Sequence, residues 1–199
     1  MGLSIHYSGS FNPSASLREM IEEVKDVCEI YQWKYFVFDE EFPVGCFSKE
    51  AYNQDIYGIS FTPPKCETVS LSFLSNGKMS CLPNLQFFGN STDEEEAQYL
   101  YMLSVKTQYA GIEIHKLLVH LLKYLNKKYF LDFIVNDEGE YWETGDEKLL
   151  QDTFNRFSFF IENFATSIEN YPIQSRENFE DYFKRLMEYI HKNKFPDSK

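Results

Sequence analysis

The densest set of residues able to do chemistry lies between Asn136 and Glu147, in the run NDEGEYWETGDE. It carries the carboxylates of Asp137, Glu138, Glu140, Glu143, Asp146 and Glu147, with Trp142 among them. Converging carboxylates hold hard cations such as Mg²⁺ or Ca²⁺, and hydrolases use such ions to activate water. An EF-hand loop needs Asp at its first position and Gly at its sixth, and no frame here supplies both. Two other arrangements suit the same residues. One is a solvated turn leading into the acidic first turn of a helix, which the macrodipole favours. The other is an acidic docking surface made of Asp137, Glu138, Glu140, Trp142, Glu143 and Asp146. Trp142 is then either an anchor packed onto the domain or a contact for the partner.

The remaining chemistry-bearing residues are dispersed. Asp39, Glu40 and Glu41 follow a strand end, and His6 lies on the polar face of the first strand. His115 and His120 are five apart on one helix, so they share no face and cannot chelate in the manner of H-E-x-x-H. His191 falls in the last turn of the final helix, and no His has a Ser or Cys partner at triad spacing. Lys116, His120, Lys123 and Lys127 make one basic helix stripe, read as a solvated face offset by the acidic run. The chain holds no G-x-x-x-x-G-K-[ST], no G-x-G-x-x-G and no G-x-S-x-G, which removes the common nucleotide-binding and α/β-hydrolase readings. Cys28, Cys46, Cys66 and Cys81 lack metal-site spacing and read as reduced structural thiols.

The opening segment GLSIHYSG and the block NDEGEYWETGD resemble a family of uncharacterised bacterial proteins of unknown function. That resemblance implies a bacterial source, and it implies no activity and no functional residue.

These residues must be held by elements, and composition says what kind. The 199 residues, with 19 Phe and 14 Tyr, are enough for one domain with a sizeable core. A net charge of −12 disfavours nucleic acid and anionic membranes as partners and favours a basic protein. No apolar run reaches the roughly 18 residues that span a bilayer, and the first residues lack a signal-peptide pattern, so a cytoplasmic location is expected.

Leu3, Ile5 and Tyr7 alternate with polar residues as in a half-buried strand. Leu17, Met20, Ile21, Val24, Val27, Cys28 and Tyr31 mark one face of a helix capped by Ser14 or Ser16, and 33–38 reads as a strand covered on both faces. Strands at 56–61, 67–74, 78–82 and 99–105 suggest an antiparallel meander. Asn76-Gly77 favours a two-residue hairpin loop, but a three-residue loop, Ser75-Asn76-Gly77, puts Phe73 opposite Met79 and keeps one face apolar. Thr107 caps a second long helix over 109–128, followed by a strand over 129–135. Thr144 and Glu147 have capping-box spacing for a helix to Asn170, and Ser175 caps a last one. Their 4-3 apolar spacing predicts burial of Phe154, Phe157, Ile161 and Phe164 against Phe179, Phe183, Leu186 and Ile190, or jointly against the sheet.

The expected fold is α+β: an antiparallel or mixed sheet over 1–145 with two helices packed on it, and a C-terminal antiparallel helical hairpin over 146–199. Three functions suit it. The first is a protein-binding or regulatory module for a basic partner, similar in charge and size to toxin-neutralising immunity proteins. The second is a small metal-dependent hydrolase or transferase using the acidic run 137–147, with a divalent cation as its cofactor. The third is a structural subunit. No organic cofactor is expected.

Overall fold

A computed structural model describes residues 2–48, 51–174 and 177–194. It is an α+β fold whose chain forms two compact units, Met1–Gln151 and Asp152–Lys199. The sequence divides the chain a few residues earlier, at 145/146. Among the described residues no helix is long and apolar enough to cross a membrane.

The first unit begins with β1 (Ser4–Phe11), α1 (Leu17–Ile30), β2 (Lys34–Val37), β3 (Tyr57–Thr62) and β4 (Val69–Phe73). Then come α2 (Leu82–Phe88), α3 (Glu94–Gln98), β5 (Leu103–Lys106), α4 (Ile112–Tyr129), β6 (Phe130–Asp137) and α5 (Tyr141–Thr144). The strands make two antiparallel three-stranded sheets, ordered β5-β1-β6 and β2-β3-β4. The expected single sheet divides because β5 returns to β1 instead of extending the β3–β4 hairpin. A short segment ties the sheets together: Phe11 N donates to Gly77 O, Met79 N donates to Gly9 O, and Met79 also pairs with Phe73. Tyr7 adds a clamp, its buried hydroxyl donating to Ser70 O and accepting from Ser70 N, both at 3.0 Å.

Helix α1 buries Leu17, Met20, Ile21, Val24 and Cys28 and packs on β3, with Ser16 Oγ capping Glu19 N. Helix α4 packs on β6 and touches α1. Its buried face runs through His115, Leu118, Leu122, Leu125 and Tyr129, turned slightly from the stripe Ile114, Leu117, Leu118, Leu121, Leu122 and Leu125 that 3.6-residue spacing predicts.

Several local expectations change for identifiable reasons. The strand at 33–38 is not covered on both faces: β2 is a sheet edge, and Phe36 is 61% exposed. Residues 82 onward form α2, because Pro83 suits the first turn of a helix, where no N–H partner is needed. Residues Tyr99–Tyr101 make a 3₁₀ turn ahead of β5. Thr107 caps nothing; Gly111, at φ 88°, is the N-cap of α4. At 75–77 the three-residue loop forms: Leu74 N donates to Lys78 O, Gly77 N donates to Leu74 O, and Gly77 takes φ 80°. That is a type I turn closed by a left-handed glycine.

Helix α6 (Glu147–Asn170) is capped by Asp146, whose Oδ1 accepts from Lys148 N and Leu149 N, in place of the Thr144–Glu147 box. In the second unit, α7 (Phe179–Lys194) starts behind Asn178, whose Oδ1 accepts from Asp181 N. The expected cap, Ser175, lies outside the described residues. Tyr182, Leu186 and Ile190 form a buried cluster against Phe164, Tyr171 and Tyr189. Phe179 and Phe183 depart from the expected packing, at 74% and 43% exposed, so the buried stripe of α7 begins at Tyr182. Phe154 is buried, while Phe157, Ile161 and Phe164 are half-buried. Leu186→Ala should therefore cost roughly 2–5 kcal/mol. Phe179→Ala should change little. A chemical melt giving the reverse order would refute this packing.

Candidate functional site

The acidic run does not gather its carboxylates. Asp137, the last residue of β6, points inward and is buried. Glu138 is exposed on the outer side, where its Oε2 accepts from Ser4 N at 2.7 Å and its Oε1 lies 3.8 Å from His6 Nε2. Glu140 holds a left-handed turn at φ 57°, Glu143 is exposed on α5, and Asp146 caps α6. Glu147 bonds Lys116 at 2.8 Å, which answers part of the basic stripe. Trp142 is a half-buried anchor, edge-on to Phe133 and under Lys123. Asp39 to Glu41 likewise diverge, with Glu40 and Glu41 both drawn to Arg18. Among the described residues no three His, Cys, Asp or Glu side chains converge as metal ligands.

What Asp137 does instead is anchor a buried relay. Thr107 Oγ1 lies 2.8 Å from His115 Nδ1, and His115 Nε2 lies 3.0 and 3.2 Å from the two oxygens of Asp137. Asp137 also accepts from the backbone N–H groups of Gly139, Tyr141 and Trp142, which starts α5. Burial pushes its carboxyl upward, but His115 and these N–H donors outweigh burial and hold it below the ordinary carboxylate range. An ionised Asp137 can only accept, so His115 Nε2 carries the proton. A hydroxyl, an imidazole and a carboxylate in line have the order of an acyl-transfer triad. Thr107 and His115 are nonetheless 0% exposed, and a Cβ at Gly139 would sit 2.9 Å from His115 Nε2. No substrate reaches this hydroxyl. The relay is structural: it holds Leu3, whose carbonyl accepts from Thr107 N and Gln108 N and whose N–H donates to Gln108 Oε1.

The accessible concavity lies elsewhere. Three open hollows of about 310, 320 and 480 Å³ follow one another across the first unit. The first two share Met102, Leu103 and Ser104, and the second and third share Phe38 and Leu82. Together they form one trough over the outer faces of both sheets. Its floor is polar: Ser8, Ser104 and Asn136 around His6, then Ser60, Thr68 and Ser70. Its sides carry large apolar groups left in solvent, namely Ile134 (68% exposed), Tyr99, Met102, Leu82 and Phe36. Carboxylates stand at each end, Glu138 beside His6 and Asp39 with Asp55 beside Phe36. Cys81 lines the trough, but burial raises its thiol above the ordinary range, and burial raises that of Cys66 to about 11. These thiols stay protonated and are poor nucleophiles.

Of the residues singled out from sequence, His6, Asp39 and Cys81 line the trough, and Glu138 stands beside His6. The trough itself could not be found locally, because its apolar residues come from separate elements and share no periodicity. No known protein family, characterised protein or solved structure matches the chain.

Proposed function

We propose that this chain is a protein-binding module that docks a basic partner along the trough. The observation carrying the proposal is the continuity of that trough, walled by exposed Phe36, Leu82, Met102, Tyr99 and Ile134. Aromatic and methionine side chains left in solvent over a hydroxyl-rich floor have the make-up of an interface core with polar partners beneath it. The acidic ends and the net charge of −12 favour positive charge in the partner. The one Thr-His-Asp relay described is sealed and lends the trough no nucleophile.

The test starts from the tagged chain and a stoichiometric partner retrieved from the cells that make it. Met102→Asp and Ile134→Asp, both at exposed positions, should fold normally and weaken the complex about tenfold or more. Glu138→Gln with Glu140→Gln and Glu143→Gln should slow association at low salt and leave dissociation nearly unchanged. Failure to retrieve a partner, or a partner indifferent to both sets, would overturn the proposal.

A further inference from the structure

Resting on that docking reading, we infer the mode of binding: the partner adds an extended, basic-and-apolar segment as a further strand on the free edge of β2. Only β3 pairs with β2, in the register Lys34–Thr62, Tyr35–Phe61, Phe36–Ser60 and Val37–Ile59. Phe38 N continues this ladder by donating to Gly58 O at 2.9 Å. Backbone direction alternates along an antiparallel pair. Lys34, Phe36 and Phe38 therefore turn their amides toward β3, and Tyr35 and Val37 turn theirs outward. Among the described residues nothing pairs with those outward groups.

Two other sheet edges are covered. Beside β5, Glu67 N donates to Lys106 O and Glu67 Oε2 accepts from Lys106 N. Beside β4, Met79 pairs with Phe73 and Ser80 N donates to Ser72 O. The edge of β2 has no such cover. Over Lys34–Val37 the register with β3 is unbroken and the strand holds no proline, and it exposes Tyr35 and Phe36.

The surroundings define the ligand. A strand laid against β2 alternates its side chains between two faces. One face continues into the end of the trough, where Phe36, Phe38 and Leu82 are apolar and Asp39 and Asp55 are acidic. The other meets Tyr35, whose hydroxyl donates to Glu29 at 3.3 Å. Aliphatic residues alternating with Lys or Arg match both faces.

The experiment titrates the ¹⁵N-labelled full chain with the capped octapeptide (Lys-Val)₄. The Tyr35 and Val37 amides should shift and exchange more slowly. Methylating the peptide nitrogens of one residue type should block binding, and methylating those of the other should not, because alternate N–H groups face β2. Tyr35→Pro removes an outward donor and spares the β3 ladder, a change edge strands tolerate. It should weaken the peptide roughly three- to tenfold. Absence of binding at millimolar peptide, shifts elsewhere, or equal binding by both methylated peptides would overturn strand addition. If the protein partner is lost on Met102→Asp but kept on Tyr35→Pro, docking stands and strand addition fails. Indifference to both removes the docking reading itself.

Discussion

Gly58→Ala should be the most damaging small substitution in the first unit, costing roughly 3–5 kcal/mol through backbone strain and overpacking together. Gly58 sits inside β3, the middle strand of its sheet, with φ at 116°, a value side-chain-bearing residues avoid. An added Cβ would stand 2.4 Å from the Leu71 carbonyl oxygen and 3.1 Å from Ser72 Cα. Both obstacles are backbone of β4, held by the Ile59–Leu71 and Tyr57–Phe73 pairs on either side. Neither can step aside without breaking the ladder. Gly77 is the useful contrast: its Cβ would meet the Phe47 ring at 2.4 Å, and a ring can swing. Urea melts should rank Gly58→Ala well below Gly77→Ala. A Gly58→Ala midpoint within about 1 kcal/mol of the parent would show that this backbone geometry is wrong.

Asp137→Ala should cost about as much, roughly 3–5 kcal/mol, because it strands a buried partner. His115 would lose its acceptor inside the core, and Gly139, Tyr141 and Trp142 would lose the oxygen that satisfies their N–H groups. The same residue gives stability a pH signature. Its folded carboxyl titrates below the unfolded value, so its contribution is complete above about pH 4 and disappears as pH falls through the folded value. The parent should lose stability on this acid limb, and Asp137→Ala should flatten it. Melts at a series of pH values decide the matter. An acid limb identical in both proteins would mean that another carboxylate governs it.

How much of this could be read from the chain depends on whether a residue's role is local. The alternation of Leu3, Ile5 and Tyr7, the apolar face of α1 and the loop at 75–77 depend on near neighbours. Periodicity or turn geometry captures all three. His115 is different. Its neighbours Glu113 and Lys116 make the helix face look solvated, and the group that makes it a core residue, Asp137, lies a whole strand further on. Residues 33–38 fail for another reason: an apolar run says that a strand forms, but burial depends on how many strands flank it, which no short pattern encodes. The acidic run is contiguous in sequence and dispersed in space. Its members share a sequence neighbourhood but leave the backbone in different directions: inward at Asp137, toward β1 at Glu138 and onto the start of α6 at Asp146.

The position of β1 has a consequence for how the chain comes off the ribosome. Both of its partners lie far downstream, β5 at 103–106 and β6 at 130–137. At ordinary elongation rates the second partner emerges on the order of ten seconds after β1. Throughout that interval the first strand has two unsatisfied edges and an apolar face. Such long-range pairing folds slowly, since loop closure must precede any reward from the contacts. The α6–α7 cluster, built from neighbours in sequence, has no such wait. The sheet of the first unit that holds β1 therefore closes only after most of the polypeptide exists.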